Sequence, residues 1–264
     1  MRPLRRITLF GGLAALLLST PGLGGCTSSS ARQEMEHNAR RATSHLNLGV
    51  DHLGHGRSAL ALREFMTAES LDPRNARIQY ALGEAYMARQ KLEETELHYQ
   101  KALELEPGFH DATLSLSALY IVQERYEESI ALCEALLDDP TFPAPWTALA
   151  NRGWAELQLG RAAEARASLE LARDYSKNYW PAMLSLAVLE SNEGRRREAI
   201  GLLQEVIELA PGDGVESEAN YRLAEQYIAL GRRDRAVVHL TSSVARAPEG
   251  EWARRSEDYL KLLR

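Results

Sequence analysis

Residues 46–73 read LNLGVDHLGHGRSALALREFMTAESLDP, and residues 80–107 read YALGEAYMARQKLEETELHYQKALELEP. Laid over each other, they place Gly49 on Gly83, Phe65 on Tyr99 and Pro73 on Pro107, each pair 34 positions apart. Small and apolar residues recur at spacings of three and four, which puts them on one face of a helix. Gly56 interrupts the first stretch midway, where a tight turn needs positive φ. A proline closes each stretch, because its ring cannot continue a helix. The unit is therefore two helices and a turn, with an apolar face too small to be buried alone. Copies must stack to cover it.

Outward from these two stretches the pattern returns until it fills the chain. Six units run Ala42–Asn75, Ala76–Phe109, His110–Pro143, Trp146–Tyr179, Trp180–Asp213 and Ser217–Gly250. Such a period resembles the tetratricopeptide repeat, and the expected fold is all-α: a superhelical solenoid of six helix–turn–helix repeats. Where the second helix crosses the first, the units carry Gly49, Gly83, Ser117, Gly153, Ala187 and Ala224. The second helix supplies Ala61, Thr95, Ser129, Ala165, Ala199 and Ala236, then, a turn later, Phe65, Tyr99, Cys133, Leu169, Leu203 and Leu240. Gly56, Gly160, Gly194 and Gly231 mark turns, and Pro73, Pro107, Pro140, Pro211 and Pro248 mark helix stops. Repeat four is irregular: Ala144 and Pro145 lengthen its junction, and no proline closes it near Lys177. Gly214–Glu216 form a similar insertion before repeat six. Residues 251–264, EWARRSEDYLKLLR, read as a capping helix over the last repeat.

The chain opens MRPLRRITLFGGLAALLLSTPGLGGC. A basic start, a short apolar run and small residues before a cut describe a secretory leader over residues 1–25. Its apolar run is too short for a mature membrane span. Leu23-Gly24-Gly25-Cys26 resembles the lipobox of bacterial lipoproteins. That resemblance implies cleavage before Cys26 and acylation there, with two or more chains giving firm anchorage. Thr27 after the cysteine implies sorting to the periplasmic face of the outer membrane. Residues 26–41 are then a tether, polar in its first half, with helix starting near Gln33.

The chain holds 31 basic and 37 acidic side chains. Removing the leader, with Arg2, Arg5 and Arg6, leaves 28 against 37, a net of −9. That balance argues against nucleic acid and against adhesion to anionic lipid by charge. With Cys26 lipidated, Cys133 has no disulfide partner, and its helix slot makes it a buried thiol. His37, His45, His52 and His55 cluster, but no carboxylate–histidine or cysteine spacing completes a ligand set, so no metal or cofactor is expected. No nucleophile elbow, phosphate loop or other catalytic constellation occurs, so neither catalysis nor a small-molecule substrate is expected. Arg195–Arg197 and Arg232, Arg233 and Arg235 crowd one edge of the last two repeats. They read either as a solvated edge or as a dock for an acidic partner.

In this repeat family the concave side is lined by first helices. The lining positions hold Leu46, Val50 and Leu53, then Tyr80 and Met87, then Leu114, Ala118, Ile121 and Val122. Trp154 and Leu157 follow, then Leu184 and Val188. An apolar inner surface of that extent reads as a groove for a protein segment, helical or extended. Repeats five and six are more polar, with Asn192, Glu218 and Glu225, so the apolar grip should lie toward the amino-terminal half.

A leader, a lipobox, six such repeats and little else resembles the pilotin lipoproteins of type IV pili, the Tgl, PilF and PilW group. DDPTFPAPWTALANRGWAELQLG, residues 138–160, also looks like that group. The resemblance implies a non-enzymatic outer-membrane lipoprotein that helps secretin subunits localise and form their ring. Two family features are absent: repeat three reads LSLSALY, and with Cys133 alone a family disulfide is excluded. A repeat adaptor for barrel assembly or for cell-wall hydrolases is the alternative client class.

Overall fold

Thirteen α-helices and no strand make up the described residues, 25–209 and 212–263, of the computed structural model. The solenoid is the expected one. In repeat one, α1 (Gly25–Gly54) pairs with α2 (Ser58–Leu71). Repeats two and three are α3 (Ala76–Met87) with α4 (Leu92–Leu105), and α5 (His110–Val122) with α6 (Tyr126–Asp138). Repeats four and five are α7 (Pro145–Gln158) with α8 (Ala162–Tyr175), and α9 (Trp180–Asn192) with α10 (Arg196–Leu209). Repeat six is α11 (Asp213–Ala229) with α12 (Arg233–Arg246), and α13 (Glu251–Leu262) closes the array. Each helix touches its sequence neighbours, and the first helices α5, α7 and α9 also touch in turn.

The crossings explain the small residues. A Cβ added at Gly83 would lie 2.4 Å from the Tyr99 ring, and one at Gly49 would lie 2.3 Å from Phe65. At Gly153 it would meet Leu169 at 2.6 Å. The bulky set Phe65, Tyr99, Cys133, Leu169, Leu203 and Leu240 is at most 2% exposed throughout. Deep burial pushes the Cys133 thiol up to about 11, so it stays protonated and unreactive at neutral pH.

The turns hold one surprise. Gly56, Gly160, Gly194 and Gly231 take positive φ, but repeats two and three place Gln90 (φ 58) and Glu124 (φ 60) at the same point. Those two side chains tolerate the left-handed region at some cost. The next residue is basic every time: Arg57, Lys91, Arg125, Arg161, Arg195 and Arg232. A cation suits the start of a helix poorly. Glu93, Glu94, Glu127, Glu128 and Glu164 in the following first turns offset it.

Second helices end two residues before the prolines Pro73, Pro107, Pro140 and Pro248, as the clash with the preceding residue requires. Pro211 lies outside the described residues. At the long junction, Asp139 accepts from His110 Nε2 (2.8 Å), the Thr141 amide (2.8 Å) and the Thr141 hydroxyl (2.7 Å). His110 foremost, then Thr141, hold its carboxyl down to about 2. The Gly214–Glu216 insertion is absorbed as extra helix at the start of α11, which runs 17 residues.

At the front, α1 begins at Gly25 rather than near Gln33, so the stretch read as a tether is helical and continuous with repeat one. Residues 29–41 are exposed along it apart from half-buried Asn38. Arg32 and Glu36 pair across one turn at 3.1 Å. Residues 1–24 of the expected leader lie outside the described residues.

Candidate functional site

Two hollows open on the side lined by the first helices. The first, about 510 Å³, lies across α1, α3 and the start of α5. Leu46, Val50, Leu53 and Tyr80 form its apolar wall, with Phe65 and Phe109 behind. Arg77, Asn47, Glu84 and Asp111 rim it. Tyr80 is fixed by rings on both sides: Tyr99 at 5.7 Å, nearly parallel, and Phe109 at 5.2 Å, tilted. Its hydroxyl lies 3.3 Å from that of Ser115. Burial pushes that phenol up to about 12, so it is a neutral donor at any physiological pH. Tyr99 donates to the Glu84 carboxylate. The wall is therefore preorganised: little side-chain freedom remains to be lost when a ligand arrives.

The second hollow, about 280 Å³, spans α5, α7, α9 and α11. Ala118, Ile121, Trp154 and Leu184 line it together with Trp180 and Pro181. Its polar points are Asn151, Ser185 and Glu218. Asn151 donates to Ser117 at 2.9 Å and Ser185 donates to the Pro181 carbonyl at 2.9 Å, so both are satisfied without a ligand.

Eight of the thirteen residues expected in the groove thus line the hollows. The other five do not. Leu157 is 8% exposed and belongs to the core beside Leu149 and Leu169, which corrects its expected place. Met87 packs on the cluster of Tyr99, Leu116, Leu119 and Tyr120. Leu114 packs on Cys133, Leu136 and Ala148, and Val188 packs on the core of repeats four and five. Val122 is 54% exposed at the end of α5 but lines neither hollow. Phe109, Trp180 and Pro181 were missed. Phe109 is the residue before α5, and Trp180 and Pro181 are the first two residues of α9, at the helix starts rather than along the expected stripe.

At the far end the inner surface is covered. Trp252 and Tyr259 of α13 lie against Tyr221 of α11 at 5.3 and 6.4 Å. Arg222 and Arg255 flank the Trp252 ring at 4.9 and 4.8 Å. Burial raises the Glu225 carboxyl beside them.

The clustered histidines are dispersed. His45 Nδ1 lies 2.8 Å from Glu64, and His55 Nδ1 lies 2.7 Å from the Asp51 carbonyl. Among the described residues, no three histidine, cysteine or carboxylate side chains converge on a metal position. Among the same residues, no helix is long and apolar enough to cross a membrane. The backbone of Cys26 lies in the first turn of α1.

A helical-hairpin array with a preorganised apolar inner surface defines a repeat scaffold that holds other chains. Profiles described as tetratricopeptide repeat match residues 46–108, 114–179 and 192–254, and the chain belongs to the tetratricopeptide-repeat family. It is similar to the type IV pilus assembly protein PilF of Pseudomonas aeruginosa, 24% identical over 179 residues, covering 67% of this chain and 71% of PilF. The crystal structure of PilW, a type IV pilus biogenesis factor, matches with TM-score 0.69 at 20% identity, over 81% of this chain and 97% of PilW. The Pseudomonas aeruginosa PilF structure gives 0.66 at 17%, over 84% and 99%. The resemblance to the PilF and PilW group read from the sequence therefore has a counterpart in both comparisons. The Cut9–Hcn1 structure reaches 0.74 at 16% identity, over 89% of this chain and 46% of that one, so likeness of fold alone does not choose a client.

Proposed function

We propose that this protein is an outer-membrane lipoprotein, anchored through Cys26, that serves type IV pilus biogenesis as a pilotin. It binds a segment of a secretin subunit in its inner groove and promotes secretin localisation and multimerisation. Its work is binding, not chemistry. The observation that carries the reading is the pair of open apolar hollows on a solenoid similar over most of its length to PilF and PilW. Leu46, Val50, Leu53 and Tyr80 would hold one part of the segment. Ala118, Ile121, Trp154 and Leu184 would hold another. Large apolar side chains in desolvated pockets supply most of the energy in such contacts.

The test is photocrosslinking from position 80 or 154 in intact cells, with the captured protein identified. Secretin is the expected catch, and deletion of the gene should leave secretin monomers and no pili. Heat-resistant secretin multimers at normal levels in the deletion strain would refute the pilotin role. Capture of barrel-assembly or cell-wall enzymes instead would transfer the groove to another client.

A further inference from the structure

We propose that the turn edge of repeats five and six is a second docking surface, for a short carboxylate-rich segment of a partner protein. The amino ends of α10 and α12 belong to neighbouring repeats there. Arg196 at the start of α10 donates to Gln226 near the end of α11 at 3.3 Å, joining the two turns. Each helix end carries about half a positive charge from its unpaired amides. Arginines at such ends are electrostatically misplaced unless something negative meets them.

In repeats one, three and four the chain supplies the negative charge itself, Arg57 pairing with Asp51 at 3.1 Å. Arg125 pairs with Glu96 at 2.8 Å and Glu128 at 2.6 Å, and Arg161 pairs with Glu127 of the preceding repeat. Arg195 is held by Glu190 and Glu193. Past Arg195 the supply stops. Arg197, Arg232, Arg233 and Arg235 are exposed and form no ion pair among the described residues; Arg235 lies over the Tyr227 ring at 5.6 Å. Glu198 and Asp234 are the acids in these two first turns. Four free guanidiniums and two helix ends so outweigh two carboxylates, on a chain whose net charge is −6.

The surroundings select the occupant. Glu124 and Glu164 line the same edge in repeats three and four, exposed and in no ion pair among the described residues. A nucleic acid or an anionic membrane, extending past the basic zone, would be repelled by them. α10 and α12 each pack on α11, which puts their amino ends on the order of 10–20 Å apart and the arginine zone at about 20 Å. That is the reach of about six residues of extended chain. Arginine forks pair two-pronged with carboxylates, which suits side-chain acids of such a segment.

The test uses the mature protein and a fluorescein-labelled peptide containing six consecutive glutamates, followed by anisotropy at 50 and 200 mM salt. Binding that weakens with salt is expected. Arg197→Glu, Arg232→Glu and Arg233→Glu together should weaken it at least about tenfold. The same three positions changed to Lys should weaken it less than the glutamate changes do, since the charge remains while the two-pronged geometry is lost. The glutamate variant should melt no lower than the parent, because acids suit helix starts. Absence of peptide binding at 50 mM salt, or equal binding by the glutamate variant, would overturn the surface. Tighter capture of phosphatidylglycerol vesicles or of a twelve-nucleotide single strand than of the peptide would overturn the assigned occupant.

Discussion

Leu46 and Val50 of repeat one occupy the same places in their helix as Tyr221 and Glu225 of repeat six. Val50 is 54% exposed and faces an open hollow. Tyr221 lies against Trp252 and Tyr259 of the cap, and Glu225 is half-buried with its carboxyl raised by desolvation. Beneath both pairs the core is unchanged: Phe65 and Leu240 are each fully buried. The difference teaches that the core positions of this repeat specify the hairpin, while the exposed positions are free to differ. Apolar residues left uncovered make a groove at one end. At the other end the cap covers the inner surface, and the turn edge carries the open chemistry instead.

The largest expected effect strikes what the two ends share. Phe65→Ala should destabilise by about 3–5 kcal/mol and Leu240→Ala by about 2–5 kcal/mol in urea unfolding. Losses under 1 kcal/mol at either place would break the claim of a common core. Next, Val50→Asp should lower the yield of groove crosslinks about tenfold, with the melting temperature nearly unchanged, because Val50 has little packing to lose. Glu225→Gln should leave those crosslinks as they are. Equal losses in both variants would erase the distinction between open and capped ends.

A smaller effect sharpens the comparison of turns. Gln90→Gly and Glu124→Gly should each stabilise by up to about 1 kcal/mol, since glycine relieves the left-handed strain but gives back part as unfolded-chain entropy. A lower urea midpoint in either variant would show that the native side chain contributes more than the strain removes. The smallest effect is on pH. Burial holds His98 in repeat two and His239 in repeat six below their ordinary value of 6.5. The unfolded chain then binds protons first on acidification. Their contribution is complete above 6.5 and falls away as pH drops toward the folded values. Changing both to Gln should flatten the stability curve between pH 7 and 5.5; an unchanged slope would clear them of it.

Most of the fold was legible because it rests on a few positions with one solution. Gly49, Gly83 and Gly153 admit no Cβ, so their spacing reports the crossing directly. The site was legible only in part. Leu46, Tyr80 and Trp154 follow from counting along a first helix, but Phe109 enters its hollow from the junction before α5 and Trp180 enters from the first position of α9. Leu157 shows the reverse case: the position that gives half-buried Leu53 and Ile121 turns fully inward in repeat four, behind the lengthened junction. The basic residue before every second helix, Arg in five repeats and Lys91 in the other, lies outside what packing periodicity reports, because its role is electrostatic rather than steric.

The lone amino-terminal arm of α1 has a mechanical consequence. An α-helix turns about 100° and advances about 1.5 Å per residue, so the sixteen steps from Cys26 to Ala42 form a rod of about 24 Å with a definite phase. Whatever is fastened to its tip is aimed as well as spaced. Excising one residue between Ser30 and Ala39 would swivel the whole scaffold by over a quarter turn relative to the helix tip, and excising seven would nearly restore the heading at about 10 Å shorter reach.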